Sequence, residues 1–227
     1  MNTQVSIIIA TFGDNKWREL ALRRAYPSAA AQGDLEIIVH HDPAGTAASC
    51  RNDAVKMAHG EWIIICDADD RLEPGYVDAM LKMTSGDLRY PRVRYITDGT
   101  PDYVAEKVEP VVLEKKHLLL GNYMVIGTMQ KRSEFLKVGG LSEHESWEDW
   151  FCFMQQMYLG AQSVLVPDAV YRIYQRKDSR VTVKDPMKLF LSMRKAFAQW
   201  ALDYNDGQTR DLAFYSFIQS YLKEEKP

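Results

Sequence analysis

Three carboxylates crowd into Asp67-Ala68-Asp69-Asp70, directly after the apolar run Trp62-Ile63-Ile64-Ile65-Cys66. Like charges this close repel and raise one another's pKa, so the arrangement is costly unless a cation or a set of donors compensates it. A hard divalent ion with oxygen ligands, Mg2+ or Mn2+, is the natural compensator, and it keeps positions open for phosphate oxygens. The competing reading is a solvated acidic turn in which Asp70 caps a helix starting near Pro74. A second acidic pair, Glu148-Asp149, lies between Trp147 and Trp150. Here Ser146-Trp147-Glu148-Asp149 approximates a capping box, with Ser146 at the N-cap and Asp149 at the third helical position, where the helix dipole also favours an acid. Arg172, Arg176, Lys177 and Arg180 gather late in the chain. A guanidinium fork suits phosphate, although a solvated charged loop accounts for any one of them equally well. The histidines, His40, His41, His59, His117 and His144, lack H-x-x-x-H spacing, and no two cysteines form C-x-x-C, so neither zinc nor a redox pair is indicated.

The frame that must position these groups is legible in the apolar runs. Val5 to Ala10, Leu35 to His40 and Trp62 to Cys66 are nearly continuous and rich in β-branched residues, as strands buried on both faces are, and they predict central parallel strands. Helical spacing over residues 16–26 and 47–58 separates them, giving β-α-β-α-β and an α/β fold with a mainly parallel sheet flanked by helices. Ligands of such sheets lie beyond the carboxyl ends of the strands, which is where Asp67 to Asp70 falls. From Leu88 to Glu114, alternating Tyr, Val, Arg and Thr with turn signals at Asp98-Gly99 and Glu109-Pro110 predict a smaller antiparallel part. A strand near Val125 to Gln130 follows, then Gly139-Gly140, a helix from Trp147 to Leu159, and strands over Ser163 to Val166 and Val170 to Tyr174. The end of the chain, Pro186 to Lys223, reads as two amphipathic helices broken around Asn205-Asp206-Gly207.

At 227 residues with 46% hydrophobic content, one domain suffices to bury the apolar surface. A net charge of -3 argues against a protein that coats nucleic acid. Cys50, Cys66 and Cys152 are too few and scattered for a disulfide framework and read as core residues in a reducing compartment. The start of the chain has no basic segment, and Val5 to Ala10 is too short for a signal peptide or a membrane span. The expectation is a cytoplasmic protein without a transmembrane segment.

The run Ser49-Cys50-Arg51-Asn52-Asp53-Ala54-Val55, through Ala58-His59-Gly60-Glu61-Trp62 to Cys66-Asp67-Ala68-Asp69-Asp70, resembles family 2 glycosyltransferases. Their sequences read a-R-N-x-a, a short helix, A-x-G-e-y-i, an apolar strand and D-x-D-D. Ser6-Ile7-Ile8-Ile9-Ala10-Thr11-Phe12 is similar to the family's first strand. Gly139-Gly140-Leu141 and Trp147-Glu148-Asp149-Trp150 are similar to its G-G-f segment and to the acidic pair that opens a helix. The matches keep the family's order from residue 5 to about residue 180.

This resemblance implies the GT-A nucleotide-diphospho-sugar transferase fold in a single domain over 1–227. Its nucleotide-binding half would cover 1–85, an acceptor and catalytic half 86–180, and C-terminal helices 181–227. It also implies an inverting glycosyltransferase that uses Mn2+ or Mg2+ to move a sugar from a nucleotide-diphosphate sugar, UDP-sugar by default, to an acceptor hydroxyl. Thr11 would lie beside the base and ribose, Arg51 would reach the nucleotide, and Asp67 would contact the ribose side. Asp69 would ligate the metal, Asp149 would be the catalytic base, and Arg172 and Arg176 would belong to a basic segment near the diphosphate. Asp42 keeps the second place of the family's D-D-G-S and is expected against the nucleotide. His41 stands at the first place, where the family often reads a uracil edge with an acid.

The chemistry asks for a preorganised positive partner where charge develops on the departing diphosphate. It also asks for a carboxylate within reach of the attacking hydroxyl. Glu148 reads as a bystander or a supporting acid, and Trp147 and Trp150 as sugar platforms or core. Two other readings stay open: a non-catalytic nucleotide-sugar or glycan-binding module, and a nucleotidyltransferase of related fold. The latter normally carries a basic glycine-rich turn after its first strand, unlike Thr11-Phe12-Gly13-Asp14-Asn15. The acceptor is left open among glycan, lipid, protein and modified nucleobase, with its contacts expected from Tyr90 to Tyr123 and the C-terminal helices.

Overall fold

The computed structural model describes residues 4–97, 118, 121–143, 147–175 and 186–204. Strand β1 (Val5–Phe12) buries Val5 and Ile7 to Ile9 completely, as its apolar run requires. It lies between β2 (Glu36–Asp42) and β3 (Trp62–Ile65) and pairs with both in parallel. Helices α1 (Asn15–Arg23), α2 (Ala25–Ala30) and α3 (Ala47–Met57) make the crossovers. The helix expected over 16–26 divides at Arg24, whose φ of -121° departs from helical values. The expectation that Leu35 to His40 forms a central strand is corrected. Among the described residues β2 is an edge strand that pairs with β1, and all its residues are half-buried.

Among the described residues the sheet has seven strands in the order β2-β1-β3-β6-β5-β7-β4, with β4 at Arg71–Leu72, β5 at Leu88–Thr97, β6 at Met129–Lys131 and β7 at Ser163–Gln175. β6 runs antiparallel to β3 and β5, and β4 antiparallel to β7. The segment expected to turn back antiparallel behaves differently over its described part, since β5 pairs in parallel with β7 from Leu88↔Ser163 to Thr97↔Gln175. Alternation predicts a strand but not its partner, and the three-residue β6 covers only Leu88 and Arg89. The two short strands expected over 163–174 are one, because a register shift at Pro91/Arg92 absorbs the exposed Pro167 and Asp168. The turn signals at 98–99 and 109–110, His117, His144, Arg176, Lys177, Arg180 and the second C-terminal helix lie outside the described residues.

Helices α4 (Tyr76–Lys82), α5 (Arg132–Lys137), α6 (Glu148–Tyr158) and α7 (Pro186–Asp203) complete the described elements. α6 is buried on every side from Trp150 to Tyr158, the mark of an internal helix. Phe197 of α7 meets both Phe151 and Tyr158 of α6 edge to face. On the sheet, Tyr171 is fully buried against Gly127, where an added Cβ would come within 2.3 Å of its ring. The hydroxyl of Tyr76 donates to the Gly127 carbonyl at 2.7 Å.

Candidate active site

The site is assembled around α3. Thr46 and Ser49 cap one another reciprocally and fix the start of this helix, which carries Arg51 into the interior. One guanidinium nitrogen of Arg51, Nη1, donates to Glu148 Oε1 at 2.6 Å, and Nη2 donates to Asp67 Oδ1. Burial opposes the arginine's charge, but Asp67 and Glu148 outweigh it and raise its pKa. A buried guanidinium therefore links the carboxyl end of β3 to the first turn of α6. The next residue strengthens the link: Asn52 donates to the Leu141 carbonyl and accepts the Leu141 N–H, both at 2.8 Å. Gly140 has φ +83°, and a Cβ there would meet Asn52 Oδ1 at 2.5 Å, so the close approach requires glycine.

Helix α6 begins at Trp147, which adopts φ 61° and ψ 46° and makes no side-chain cap. This corrects the capping-box reading: with Trp147 at the N-cap, Asp149 is the second helical residue rather than the third. Its carboxyl sits among protein atoms although the residue keeps some surface. Burial and then the charge of Glu148 push its pKa up to about 6, against the Trp150 N–H and Arg51. Trp150 belongs to the core, with its indole N–H donating to the Leu118 carbonyl at 2.7 Å.

The acidic turn is also resolved into separate roles. Asp67 N–H donates to the Tyr171 hydroxyl oxygen at 3.0 Å, and Asp70 N–H donates to the Asp67 carbonyl at 3.1 Å. Asp70 is buried and its Oδ1 accepts the Tyr174 N–H at 3.1 Å. It does not cap α4, whose N-cap is Gly75. Burial, followed by the charges of Asp67 and Asp69, holds the Asp70 carboxyl well above the usual range. Asp69 is half-buried, and its carbonyl accepts from Arg24 Nη1 at 3.0 Å. Among the described residues, no group of three or more His, Cys, Asp or Glu side chains is gathered to hold a metal.

Thr11 and His41 face each other at the carboxyl ends of β1 and β2, with Thr11 Oγ1 2.9 Å from His41 Nδ1. His41 Nε2 is buried without a hydrogen-bond partner among the described residues. Asp42 Oδ1 accepts the Ala44 N–H at 2.9 Å, and its carbonyl accepts from Gly13 and Gly45. Thr11, Asp42, Arg51 and Asp67 thus share the carboxyl edge of the parallel strands, and Arg51 adds the Glu148-Asp149 pair. Arg172 stands apart, with its Nε bonded to Glu73 on the face of β7 opposite Tyr171. Sequence reasoning missed Asn52, Tyr171 and Arg24, and left Glu148, which Arg51 binds, between a bystander and a supporting acid. The adjacency of Arg51-Asn52 and of Glu148-Asp149 was the available signal.

Residues 28–181 match the family described as Glycosyl transferase family 2. The chain belongs to that family. It is 26% identical over 117 residues to an uncharacterized glycosyltransferase of Haemophilus influenzae, a stretch that covers 46% of this chain and 38% of that protein. The chain therefore matches well under half of that relative's length. The crystal structure of S. aureus TarS 1–349 in complex with UDP-GlcNAc is similar with TM-score 0.69 and 16% identity, over 95% of this chain and 70% of that one. A crystal structure of S. aureus TarS has TM-score 0.65 and 16% identity, over 97% of this chain and 42% of that one. These structures share the GT-A fold with this chain. No helix among the described residues is long and apolar enough to cross a membrane.

Proposed function

We propose that this domain is an inverting, metal-dependent glycosyltransferase that moves a sugar from a nucleotide-diphosphate sugar, by default a UDP-sugar, to an acceptor hydroxyl. The observation that carries this reading is the buried Arg51 tie, which joins Asp67 at the sheet's carboxyl edge to the acidic pair Glu148-Asp149. Structural likeness to TarS crystallised with UDP-GlcNAc supports the donor class. The nucleotide lies against Thr11, Asp42 and Asp67 in the half formed by 1–85, and residues 86–180 present the acceptor. Arg51, only 6% exposed, acts on the nucleotide by fixing Asp67.

Asp149 is the base. It takes the proton of the acceptor hydroxyl as that oxygen attacks the anomeric carbon from the face opposite the diphosphate. The new C–O bond forms as the bond to the diphosphate breaks, which inverts the anomeric centre. A carboxyl held at about 6 is ionised at neutral pH yet basic enough to accept a proton in the transition state. The acidic turn fits a hard cation, because Asp70 is pushed towards its neutral form first by burial and then by the crowded charges of Asp67 and Asp69, which a cation would offset. Asp69 is the residue assigned to hold it. A Mg2+ or Mn2+ of this kind is commonly bound by one or two carboxylates plus substrate phosphates, so a cage of protein ligands is not needed. When bound, the ion neutralises charge developing on the leaving diphosphate.

The test is thermal unfolding with UDP and UDP-GlcNAc, in Mn2+ or in chelator, for wild type and Asp69→Ala, with hydrolysis of UDP-GlcNAc followed in parallel. Nucleotide should stabilise the wild type only with metal, and Asp69→Ala should lose the effect. Equal stabilisation in chelator would remove the metal role, and preference for a purine nucleotide would overturn UDP. Slow donor hydrolysis distinguishes an enzyme from a binding module.

A further inference from the structure

The outer edge of the sheet holds a second concentration of charge. Register pairs Arg94 of β5 with Arg172 of β7, and Arg172 with Arg71 of β4, so three arginines stand side by side on one face of three adjacent strands. Neighbouring strands are about 4.8 Å apart, and like charges directly opposite one another destabilise a sheet. Arg92 lies two positions from Arg94 on the same face, with its Nε donating to the Pro167 carbonyl at 2.6 Å. Arg24 arrives from the junction of α1 and α2, its Cζ 4.1 Å from the Tyr174 ring centroid, and Arg71 lies 5.9 Å from the same ring.

Among the described residues, the carboxylate that ion-pairs with this row is Glu73, whose Oε1 takes both Arg94 and Arg172. Arg94 Nε is buried and has no hydrogen-bond partner among the described residues. Arg71 is exposed. In a chain of net charge -3, this crowding is a local feature. Packing does not demand it, since the opposite face of the same strands carries the apolar and aromatic contacts of Leu72 and Tyr171.

We propose that the row Arg71, Arg172 and Arg94 binds an oxyanion carried by the acceptor, so that the acceptor of the reaction proposed above, on which this inference rests, is a phosphate ester. Guanidinium forks take phosphate oxygens in pairs, and the donors that Glu73 does not use are suited to that. The strand order sets the row apart from the nucleotide: β5, β7 and β4 lie at the opposite end of the sheet from β2 and β1. The acidic turn lies between the two, bonded to β7 through Tyr171 and Tyr174. A phosphate on the row therefore lies beyond the metal-binding turn, on the side away from the base and ribose.

The phosphate could come from the acceptor or from the donor, and titration calorimetry separates these sources with glucose 6-phosphate, glucose and UDP as probes. Glucose 6-phosphate should bind where glucose does not, and should still bind the UDP-saturated protein. Arg94→Gln and the exposed Arg71→Gln should each weaken it about 10-fold while leaving UDP affinity within about twofold. Displacement of glucose 6-phosphate by UDP, or equal weakening of UDP in these variants, assigns the row to the donor and overturns the proposal. Absent binding, or binding unaltered by both substitutions, overturns it as well. Attachment to vesicles containing an anionic phospholipid, lost in the same variants while glucose 6-phosphate fails to bind, would assign the row to a membrane instead. If UDP alone fails to bind, the donor reading falls and the phosphate titration still decides the row.

Discussion

Arg51 and the outer arginines are held in opposite ways. Arg51 is buried and divides its nitrogens between two carboxylates, Asp67 and Glu148. Arg71, Arg172 and Arg94 line up across three strands, where Glu73 ion-pairs with two of them. A buried charge must be fully paired to be tolerated, so Arg51 belongs to the architecture, and its value to chemistry lies in where it puts the acids. A row that the carboxylates among the described residues compensate only in part keeps its capacity for a ligand. Substitutions should therefore separate the two regions: the paired centre governs turnover and folding, whereas the row governs binding alone.

The largest loss of turnover is expected from Asp149→Asn. Asparagine keeps the shape but cannot accept the acceptor's proton, and general base catalysis contributes about 10²- to 10⁴-fold, so single-turnover transfer should fall by that factor. UDP affinity, glucose 6-phosphate affinity and melting temperature should change little. Transfer within a few-fold of wild type would pass the role of base to another group. Next in size is Arg51→Met, which strands two part-buried carboxylates. Leaving one charge of a buried pair unmatched is strongly destabilising, and solvent reaching Asp67, 32% exposed at its side chain, reduces the cost to about 2–4 kcal/mol in urea unfolding. If the melt is unchanged, the tie is not structural and the contrast with the outer row collapses.

The elements that carry the paired centre were legible in the sequence, whereas the pairing itself and the row were not, for a physical reason. Apolar continuity marked β1 and β3, helical spacing marked α3, and Asp67 follows its strand directly, so the carboxyl edge of the parallel strands is a matter of local order. Asn52 and Leu141 could be linked only through the family resemblance, because their contact spans 89 residues. The row depends on register between β4, β5 and β7, and alternation within one strand says nothing of the register beside it. β4, with two residues, is too short to leave a periodic signal. The left-handed start of α6 at Trp147 was hidden as well, since a bulky aromatic with positive φ contradicts local preference and persists only when its surroundings impose it.

The smallest expected effect tests the centre's electrostatics through Glu148→Gln. Burial is the main reason the Asp149 carboxyl is held at about 6, and the charge of Glu148 comes second. Removing that charge leaves burial in place, so the pKa should fall below about 6 without returning to the ordinary 3.8. Arg51 stays charged and lowers Asp149 in any case, so its release from Glu148 does not reverse the direction. Because the base must be ionised, transfer by wild type should rise with pH through about 6, and in the variant this limb should move to lower pH. Stability must follow the same linkage. The folded state holds this proton more tightly than the unfolded chain, so raising pH from 3.8 to about 6 lowers stability, and the loss should be smaller in Glu148→Gln. The two measurements, a pH profile of single-turnover transfer and urea unfolding across the same range, must therefore shift together. A limb that stays in place while the unfolding profile shifts would mean that Asp149 titrates as described but that another group takes the proton.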